Sequence, residues 1–445
     1  MFCAAILFTV ALLIICVALY THKWRHPKSS GRLPPGSMGL PLLGESLHFF
    51  SPNSSSDTPP FIKERIKRYG QLFKTSLVVR PVVVSTDPEF NHYIFQQEGK
   101  LFQSWYPDTF TEIFGQENVG SLHGFMFKYL KSLVLRLFGP ENLKEKLLRE
   151  MEEKAWGCLA SWSNQPSVDL KEAIATMIFD LTAKKLISYD PNESSENLRL
   201  NFVAFMQGLL SFPVNIPGTA YNKCLQGRKK AMKMLKRMLD ERRASAPRKN
   251  GESDFFDHVV EELMKERSIM TEAIALNLIF ALLFANFETT SLALTMAIKD
   301  SHRPPSRASR IDEHEAIVRN RENPNSGMTW KEYKSMTYTN QVINETVRLA
   351  NIVPGIFRKA LTDIHVKGYT IPAGWSVMVC PPAVHLNPEI YEDPLAFKPR
   401  RWDGIDTNGG SQNFMAFGGG MRFCVGADFA KLQMAVFLHC LLTKS

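Results

Sequence analysis

Four glycines surround a single cysteine in residues 417–430, which read FGGGMRFCVGADFA. A structural cysteine behaves as a small hydrophobic residue and needs neither a flexible backbone nor a positive charge beside it. A thiolate that binds a metal or a cofactor benefits from both, because backbone N–H groups must approach the sulfur and stabilise its charge. The segment predicts a tight loop around Cys424, followed by a helix that begins near Gly426 and lowers the pKa of the thiol.

The chain is basic, with 53 Lys and Arg residues against 44 Asp and Glu residues and a formal net charge of +9. This balance favours an anionic partner, either a phospholipid surface or an acidic protein. Nucleic acid is not an expected partner, because the basic residues do not alternate with aromatic residues along one strip. The seven cysteines form no C-x-x-C pair, so the sequence predicts neither a disulfide framework nor a zinc site. We therefore expect the globular part of the chain to lie in the reducing cytosol.

The first 20 residues contain no charged side chain and are long enough to cross the hydrocarbon core of a bilayer. Lys23, Arg25 and Lys28 follow directly, and by the positive-inside rule they keep the rest of the chain in the cytosol. We expect a single transmembrane signal anchor over residues 1–21. A cleaved signal peptide is the alternative, although the apolar run is long and has no basic residues before it.

Behind the anchor we expect a basic flank and proline-rich hinge over residues 22–45, and one globular domain over residues 46–445. A β-branched run at residues 77–85 predicts a strand, and longer periodic patterns predict helices through residues 143–299. Extended segments interrupted by proline and glycine return at residues 353–402. The fold class is therefore mainly α with a smaller β part.

Two arginine-containing patterns precede the cysteine loop. Glu345 and Arg348, in the sequence NETVRLA, lie one helical turn apart on a single face. A later segment, FKPRRW, contains Arg401. Alone, the spacing of Glu345 and Arg348 is well explained by a surface salt bridge.

The apolar residues 271–300 predict one long helix. Its spacing places Leu278, Leu282, Ala285 and Thr289 on one face. A threonine on such a face can have a chemical role. The alternative is that its hydroxyl only bonds to a backbone carbonyl and bends a core helix.

These segments resemble the signature motifs of the cytochrome P450 family. The cysteine loop matches FxxGxRxCxG, the two upstream patterns match ExxR and PxRW, and the long helix resembles the oxygen-binding motif (A/G)GxET(T/S). The resemblance implies the P450 fold and haem b as cofactor, with Cys424 as the ligand to iron, whose electron density favours O–O cleavage. The other residues that the resemblance implies for cofactor binding are Arg422, Arg358, Lys128, Lys131, Phe417, Gly418, Gly420, Gly426 and Ala285.

The resemblance also implies roles in catalysis and in folding. Thr289 would place its hydroxyl above the iron, and Glu288, with ordered water, would deliver protons for O–O cleavage. Glu345, Arg348 and Arg401 would form a buried ion-pair cluster that fixes the fold and takes no part in the chemistry.

The sequence departs from the family pattern in several places. Asn286 stands where glycine is common, and its side chain could narrow the groove for dioxygen or hydrogen-bond within the helix. Phe127 stands at a tryptophan position and Lys131 at an arginine position, which together would weaken haem binding. Residues 300–311 depart from the family pattern, and two adjacent prolines there prevent a continuous helix. The stretch could be a divergent loop or a misread segment of the gene. The chain stops at Ser445, where family members continue into a β-hairpin that touches the substrate.

Further details are most similar to the plant clan that oxidises sterols, brassinosteroids and triterpenoids. This resemblance implies a monooxygenase at the endoplasmic reticulum membrane that acts on an apolar substrate, with electrons from NADPH delivered by NADPH–cytochrome P450 reductase. A non-oxygenating haem-thiolate isomerase or dehydratase is one alternative, and an idle haem-binding product is another. The pocket residues expected are Trp105, Phe110, Phe114, Leu282, Ile352, Val353 and Ile356, each of which could instead be core.

Overall fold

The computed structural model describes residues 15–443 apart from positions 25, 42, 52–56, 79, 139–142, 195, 210, 246–253, 302–305, 324–325, 406, 408 and 410. Helices predominate and the strands are few and short, which confirms the predicted fold class of mainly α with a smaller β part.

Among the described residues, the helices are α1 (Ser46–Phe49), α2 (Pro60–Tyr69), α3 (Pro88–Gln96), α4 (Asp108–Phe114), α5 (Gly124–Phe138), α6 (Leu148–Ser163), α7 (Leu170–Ile187), α8 (Leu198–Leu209), α9 (Ala220–Ala244), α10 (Phe255–Met264), α11 (Glu272–Ser301), α12 (Ser306–Arg319), α13 (Trp330–Ser335), α14 (Thr337–Ala350), α15 (Pro381–His385) and α16 (Ala427–Thr443). The strands are β1 (Leu72–Leu77), β2 (Arg80–Ser85), β3 (Phe102–Ser104), β4 (Ile356–Ala360), β5 (Ile364–Val366), β6 (Tyr369–Ile371) and β7 (Ser376–Val379). A π-helical turn spans Leu143–Leu147, and 3-10 turns span Pro399–Trp402 and Gly420–Arg422.

The chain forms two compact units, each assembled from three segments. The first unit comprises residues 1–105, 353–396 and 407–423, and the second comprises residues 106–352, 397–406 and 424–445. All the strands given above belong to the first unit, whereas the second unit is helical.

A five-stranded sheet forms the centre of the first unit, in the order β1-β2-β7-β4-β3. Strands β2 and β7 run parallel, and the other neighbours are antiparallel. The sequence predicted one strand over residues 77–85, but the chain turns at Val78, whose φ is +48°, so that Leu77 ends β1 and Arg80 begins β2. Strands β5 and β6 form a separate hairpin.

Side chains alternate across this sheet, as the geometry of a strand requires. In β2, Val83 joins an apolar cluster with Phe95 and Phe102, whereas Val82 and Val84 join a second cluster on the other face. Both faces of the strand are therefore buried, and the sheet is a rigid support for the loops that leave it.

The second unit is built around α11, which contains no glycine or proline along its 30 residues. Such a composition favours an uninterrupted helix. Helix α11 packs against α7, and the rings of Phe179 and Phe287 meet edge to face across that contact at 5.4 Å. The observed bounds of α11, Glu272–Ser301, agree closely with the predicted helix at residues 271–300.

The predicted anchor lies mostly outside the described residues, which begin at residue 15; residues 15–24 are helical. Within the described part of the chain, Glu272–Asp300 is long and apolar enough to cross a membrane, and just over half of its most apolar stretch is buried inside the protein. The two adjacent prolines at positions 304 and 305 also fall outside the described residues.

Candidate active site

The cysteine loop turns sharply because two of its glycines have left-handed backbones. Gly418 has a φ of +72° and Gly420 a φ of +61°, a region that other residues rarely adopt. A Cβ atom on Gly420 would lie 2.1 Å from the carbonyl oxygen of Phe95, so only glycine fits at this close approach to α3. Arg422 ends the 3-10 turn that follows.

Cys424 lies just ahead of α16, which begins at Ala427, close to the predicted start at Gly426. Cys424 is exposed. The N–H group of Gly426 bonds to its sulfur, and a Cβ atom on Gly426 would lie 4.0 Å from that sulfur. The thiol therefore lies at the positive end of a helix with a backbone donor directed at it.

The pKa of the Cys424 thiol is nevertheless raised above its ordinary value, because the protein around the sulfur removes water from it. The Gly426 N–H group and the positive charge of Lys131 lower the pKa but do not outweigh this effect. The start of the helix therefore lowers the pKa of this thiol as expected, but in the protein alone burial outweighs its effect. A coordinating metal cation would reverse the balance, since a metal-bound thiol is deprotonated.

Helix α5 carries the basic residues predicted near the cofactor. Lys131 is half-buried and close enough to Cys424 to affect its pKa, whereas Lys128 is exposed. Phe127, at the position where tryptophan is common, is buried. Within this helix, Lys131 is thus the lysine whose charge acts on the cysteine.

Glu345 is fully buried and is the centre of an ion cluster. Arg348 donates to both of its oxygens, from Nε to Oε2 at 2.9 Å and from Nη2 to Oε1 at 2.8 Å. Arg401 donates from Nε to Oε1 at 3.0 Å, so the structure brings together the three residues of the predicted cluster. The sequence did not indicate two further donors, the Trp402 Nε1 at 3.0 Å and the Lys398 backbone N–H at 2.9 Å.

On α11, the hydroxyl of Thr289 donates to the carbonyl oxygen of Ala285 at 2.5 Å. This is the intrahelical bond that the alternative interpretation predicted. Ala285 is exposed, and Glu288, Thr289 and Leu282 are half-buried. This face of the helix is therefore partly open to solvent in the protein chain.

Asn286 hydrogen-bonds to a neighbouring helix as well as within α11. Its amide donates to the hydroxyl of Thr182 on α7, which donates in turn to the Ile178 carbonyl at 2.7 Å. Its oxygen accepts from the hydroxyl of Thr290 at 3.0 Å. The side chain that replaces glycine thus ties α11 to α7.

In the first unit, the two arginines predicted to bind the cofactor converge on one carboxylate. Glu98 accepts from Arg422 Nε at 2.6 Å through Oε1, and its Oε2 lies 2.7 Å from Arg358 Nε. Glu98 and Arg358 are buried, and only 9% of the Arg422 side chain is exposed. Sequence reasoning missed Glu98, since its one local signal, a carboxylate before Gly99 in a turn, is common on protein surfaces.

The expected pocket residues are divided between the two units. In the second unit, Phe110 and Phe114 stack at 4.2 Å, and Phe114 meets Phe284 of α11 at 5.3 Å. Ile352 is half-buried in that unit. In the first unit, Trp105 meets the ring of Phe357 at 6.1 Å, Val353 is exposed, and Ile356 packs partly against the sheet core.

A sequence model of the family described as Cytochrome P450 matches residues 34–444 of this chain. The chain belongs to the cytochrome P450 family. It is therefore a P450 monooxygenase, and the family implies a haem-thiolate cofactor, a redox partner and an apolar substrate.

Relatives of this P450 are found in plants. Cytochrome P450 87A3 of Oryza sativa subsp. japonica is 66% identical over 96% of this chain and 83% of the relative. Beta-amyrin 16-alpha-hydroxylase CYP87D16 of Maesa lanceolata is 45% identical, and cucurbitadienol 11-hydroxylase of Siraitia grosvenorii is 42% identical, each over 98% of this chain and 92% of the relative. Among solved structures, the retinoic acid-bound cyanobacterial CYP120A1 has a TM-score of 0.78 at 27% identity, covering 93% of this chain and 92% of that chain.

The residues of this P450 fit a haem-thiolate cofactor in their donor chemistry. Cys424 lies ahead of a helix, and the Gly426 N–H group and the charge of Lys131 both favour its thiolate form. Arg358, Arg422 and Glu98 together carry a formal charge of +1, which suits the carboxylates of a haem. The close approach of Gly420 to the Phe95 carbonyl keeps the turn ahead of Arg422 compact.

Proposed function

We propose that this P450 hydroxylates a rigid, apolar triterpenoid or sterol. The observation that carries the proposal is the similarity to two named triterpenoid hydroxylases over 98% of this chain. The stacked aromatic residues Phe110 and Phe114, beside Phe284 on α11, support it, because large flat rings pack well against a fused apolar ring system. The position that is hydroxylated is not part of the proposal.

The cofactor we propose is haem b, bound through the sulfur of Cys424. Bound in this way, the haem would supply the activation of dioxygen that monooxygenation requires. Arg358, Arg422 and Lys131 would neutralise the propionate groups through charge-assisted hydrogen bonds. Lys128, which is exposed, is assigned the same role by sequence similarity alone. Phe417, Gly418 and Gly426 would shape the loop around the cofactor.

Thr289 and Glu288 are the proposed proton-handling residues. Because the Thr289 hydroxyl proton is donated to Ala285, its oxygen presents lone pairs that accept a hydrogen bond from the other side. The Thr289 hydroxyl oxygen would therefore accept a hydrogen bond from a water molecule or from another O–H group in the active site. Glu288, which is half-buried on the same helix, would supply protons through ordered water.

The partners we propose are NADPH–cytochrome P450 reductase and the membrane of the endoplasmic reticulum. The net charge of +9 supports docking of an acidic electron donor and attraction to anionic lipid. The uncharged run before Lys23 supports a single anchor over residues 1–21.

The first test is the carbon monoxide difference spectrum of the reduced protein. We expect the Soret band typical of thiolate-ligated haem. Cys424→Ala should remove this band, whereas Cys158→Ala, which removes another free cysteine, should keep it. A Soret band that persists in Cys424→Ala would contradict the assignment of Cys424.

The second test is a spectral titration with beta-amyrin, cucurbitadienol and cholesterol, followed by turnover with NADPH and the reductase. For at least one of these compounds we expect a shift in the spin state of the haem iron and a product heavier by one oxygen atom. An isomerised or dehydrated product without oxygen would favour the isomerase alternative. A normal thiolate spectrum with no shift and no product from any of them would refute the proposed substrate class.

A further inference from the structure

The carboxylate of Glu98 bridges two arginines that lie far from it in the sequence. One oxygen bonds to Arg422 and the other contacts Arg358, at 2.6 and 2.7 Å. We propose that Glu98 is a positioning residue that holds Arg358 and Arg422 together as a pair to receive the haem propionates. This inference rests on the proposed function, because it assumes that the arginines bind haem.

The backbone around Glu98 fixes its carboxylate. Gly99 follows with a φ of +81° and donates its N–H to the Phe102 carbonyl at 2.7 Å, which closes a tight turn. Ser104 then donates its N–H to Glu98 Oε1 at 3.0 Å. Because Ser104 pairs in register with Arg358 across β3 and β4, the carboxylate is anchored to the strand beside one of its arginines.

The second arginine is held from the other side. Arg422 ends the turn that begins at Gly420, and Gly420 lies against the carbonyl of Phe95 on α3, the helix that leads to Glu98. The guanidinium of Arg358 also lies 5.6 Å from the Phe95 ring. The end of α3 therefore supports both guanidinium groups as well as the residue that bridges them.

Charge explains why a bridge is needed. Two buried guanidinium groups repel each other, and burying them without a counter-charge is strongly unfavourable. A single carboxylate with one oxygen toward each arginine offsets this repulsion and leaves a net charge of +1. The cluster can thus stay assembled and still attract the two propionates of a haem.

A competing role for the same carboxylate predicts the opposite behaviour. If Glu98 competed with the propionates for the arginines, its removal would make haem leave more slowly. If it positions the arginines, its removal lets them separate, and haem leaves faster. The rate of haem loss therefore distinguishes the two.

The experiment measures haem transfer from the purified holoenzyme to an excess of apomyoglobin, by absorbance. We expect Glu98→Gln to lose haem at least tenfold faster than the unsubstituted protein. Glu89→Gln, which removes the same charge from an exposed position on α3, should stay within twofold. If Glu98→Gln does not yield holoenzyme, the same measurement is made on Glu98→Asp, for which we expect haem loss to be at least threefold faster.

A double variant separates positioning from a general loss of packing. In an Arg358→Gln background the cluster loses one positive charge, so Glu98→Gln restores the original net charge of +1. In that background we expect Glu98→Gln to accelerate haem loss less than threefold. A general packing defect would instead accelerate haem loss by the same factor as Glu98→Gln does alone.

Haem loss from Glu98→Gln at the unsubstituted rate, or more slowly, would overturn the inference and leave the proposed function intact. Full additivity in the double variant would also overturn it. Absence of thiolate-ligated haem from the unsubstituted protein would instead overturn both the proposed function and this inference.

Discussion

The Nδ1 atoms of His314 and His439 lie 2.9 Å apart in the interior of the second unit. His314 Nε2 also lies 3.0 Å from the Thr339 hydroxyl, which gives its proton to Glu313 at 2.5 Å. Thr339 can therefore only accept from His314, so the proton of neutral His314 is on Nε2 and its Nδ1 accepts from His439. This fixes the tautomer of each ring and links α12, α14 and α16.

We predict that acid destabilises the protein through this pair. Burial lowers the pKa of His314 to about 3, with His439 and Arg310 adding to the shift, and burial together with Arg321 lowers the pKa of His439 to about 4 despite the opposing charge of Glu332. A histidine with a lowered pKa in the folded state is protonated first in the unfolded chain. Stability is then complete above about pH 6.5 and is lost as the pH falls toward 4, by about 2 kcal/mol per histidine at pH 5.

The measurement is the unfolding temperature at pH 7 and pH 5. His439→Gln keeps a donor for His314 and removes one titrating group, so we expect its loss of unfolding temperature between the two pH values to be about half as large. His258→Gln, at an exposed position, should behave like the unsubstituted protein. An equal pH response in His439→Gln would show that the pair is not the sensor.

We predict that Glu345→Gln prevents stable folding. The substitution leaves Arg348, which is fully buried, and Arg401 without their counter-charge, at a cost of about 3–5 kcal/mol. The yield of soluble protein and its unfolding temperature provide the measurement. Glu315→Gln breaks only an exposed pair with Arg319 at 3.9 Å and should cost less than about 1 kcal/mol. Similar yields for the two variants would be incompatible with a stabilising cluster.

We predict that Thr289→Ala uncouples oxygen use from product formation and leaves haem bound. The variant loses the hydroxyl oxygen that we propose accepts a hydrogen bond during proton delivery, so NADPH consumption per product should rise by about tenfold. Thr295→Ala is the matched control, because Thr295 makes the same kind of bond to Ser291 on the same helix, at 2.7 Å. Normal coupling in Thr289→Ala would remove Thr289 from the mechanism.

We predict a graded response to alanine at three glycines. Gly420→Ala meets both a φ of +61° and a clash at 2.1 Å, and should lower the yield of haem-loaded protein most. Gly418→Ala meets strain alone, with its nearest neighbour at 3.9 Å, and should cost about 1–3 kcal/mol. Gly157→Ala, in the open on α6, should stabilise by up to about 1 kcal/mol. Unfolding temperatures would show the order, and an equal effect at 418 and 420 would contradict the close approach to Phe95.

Local spacing accounts for what the sequence could predict. Residues one turn apart on a helix share a face, so the pairing of Glu345 with Arg348 follows from their separation. The start of α16 follows from the glycines ahead of it, and the length of α11 from a run without helix-breaking residues. In each case the evidence lies within a short stretch of chain.

Contacts over long sequence separations were not predictable in this way. Glu98 and Arg422 are 324 residues apart, and Asn286 and Thr182 are 104 residues apart, so no periodicity connects them. The net direction of the pKa shift at Cys424 was not predictable for a related reason. A helix terminus is visible in sequence, whereas the density of protein around a sulfur depends on the tertiary fold.

Each of the two compact units is collected from three separated stretches of the polypeptide. A single cut or fusion point in the gene therefore cannot release either unit intact. A chimera of two relatives with one crossover inside residues 106–423 would therefore build both units from both parents.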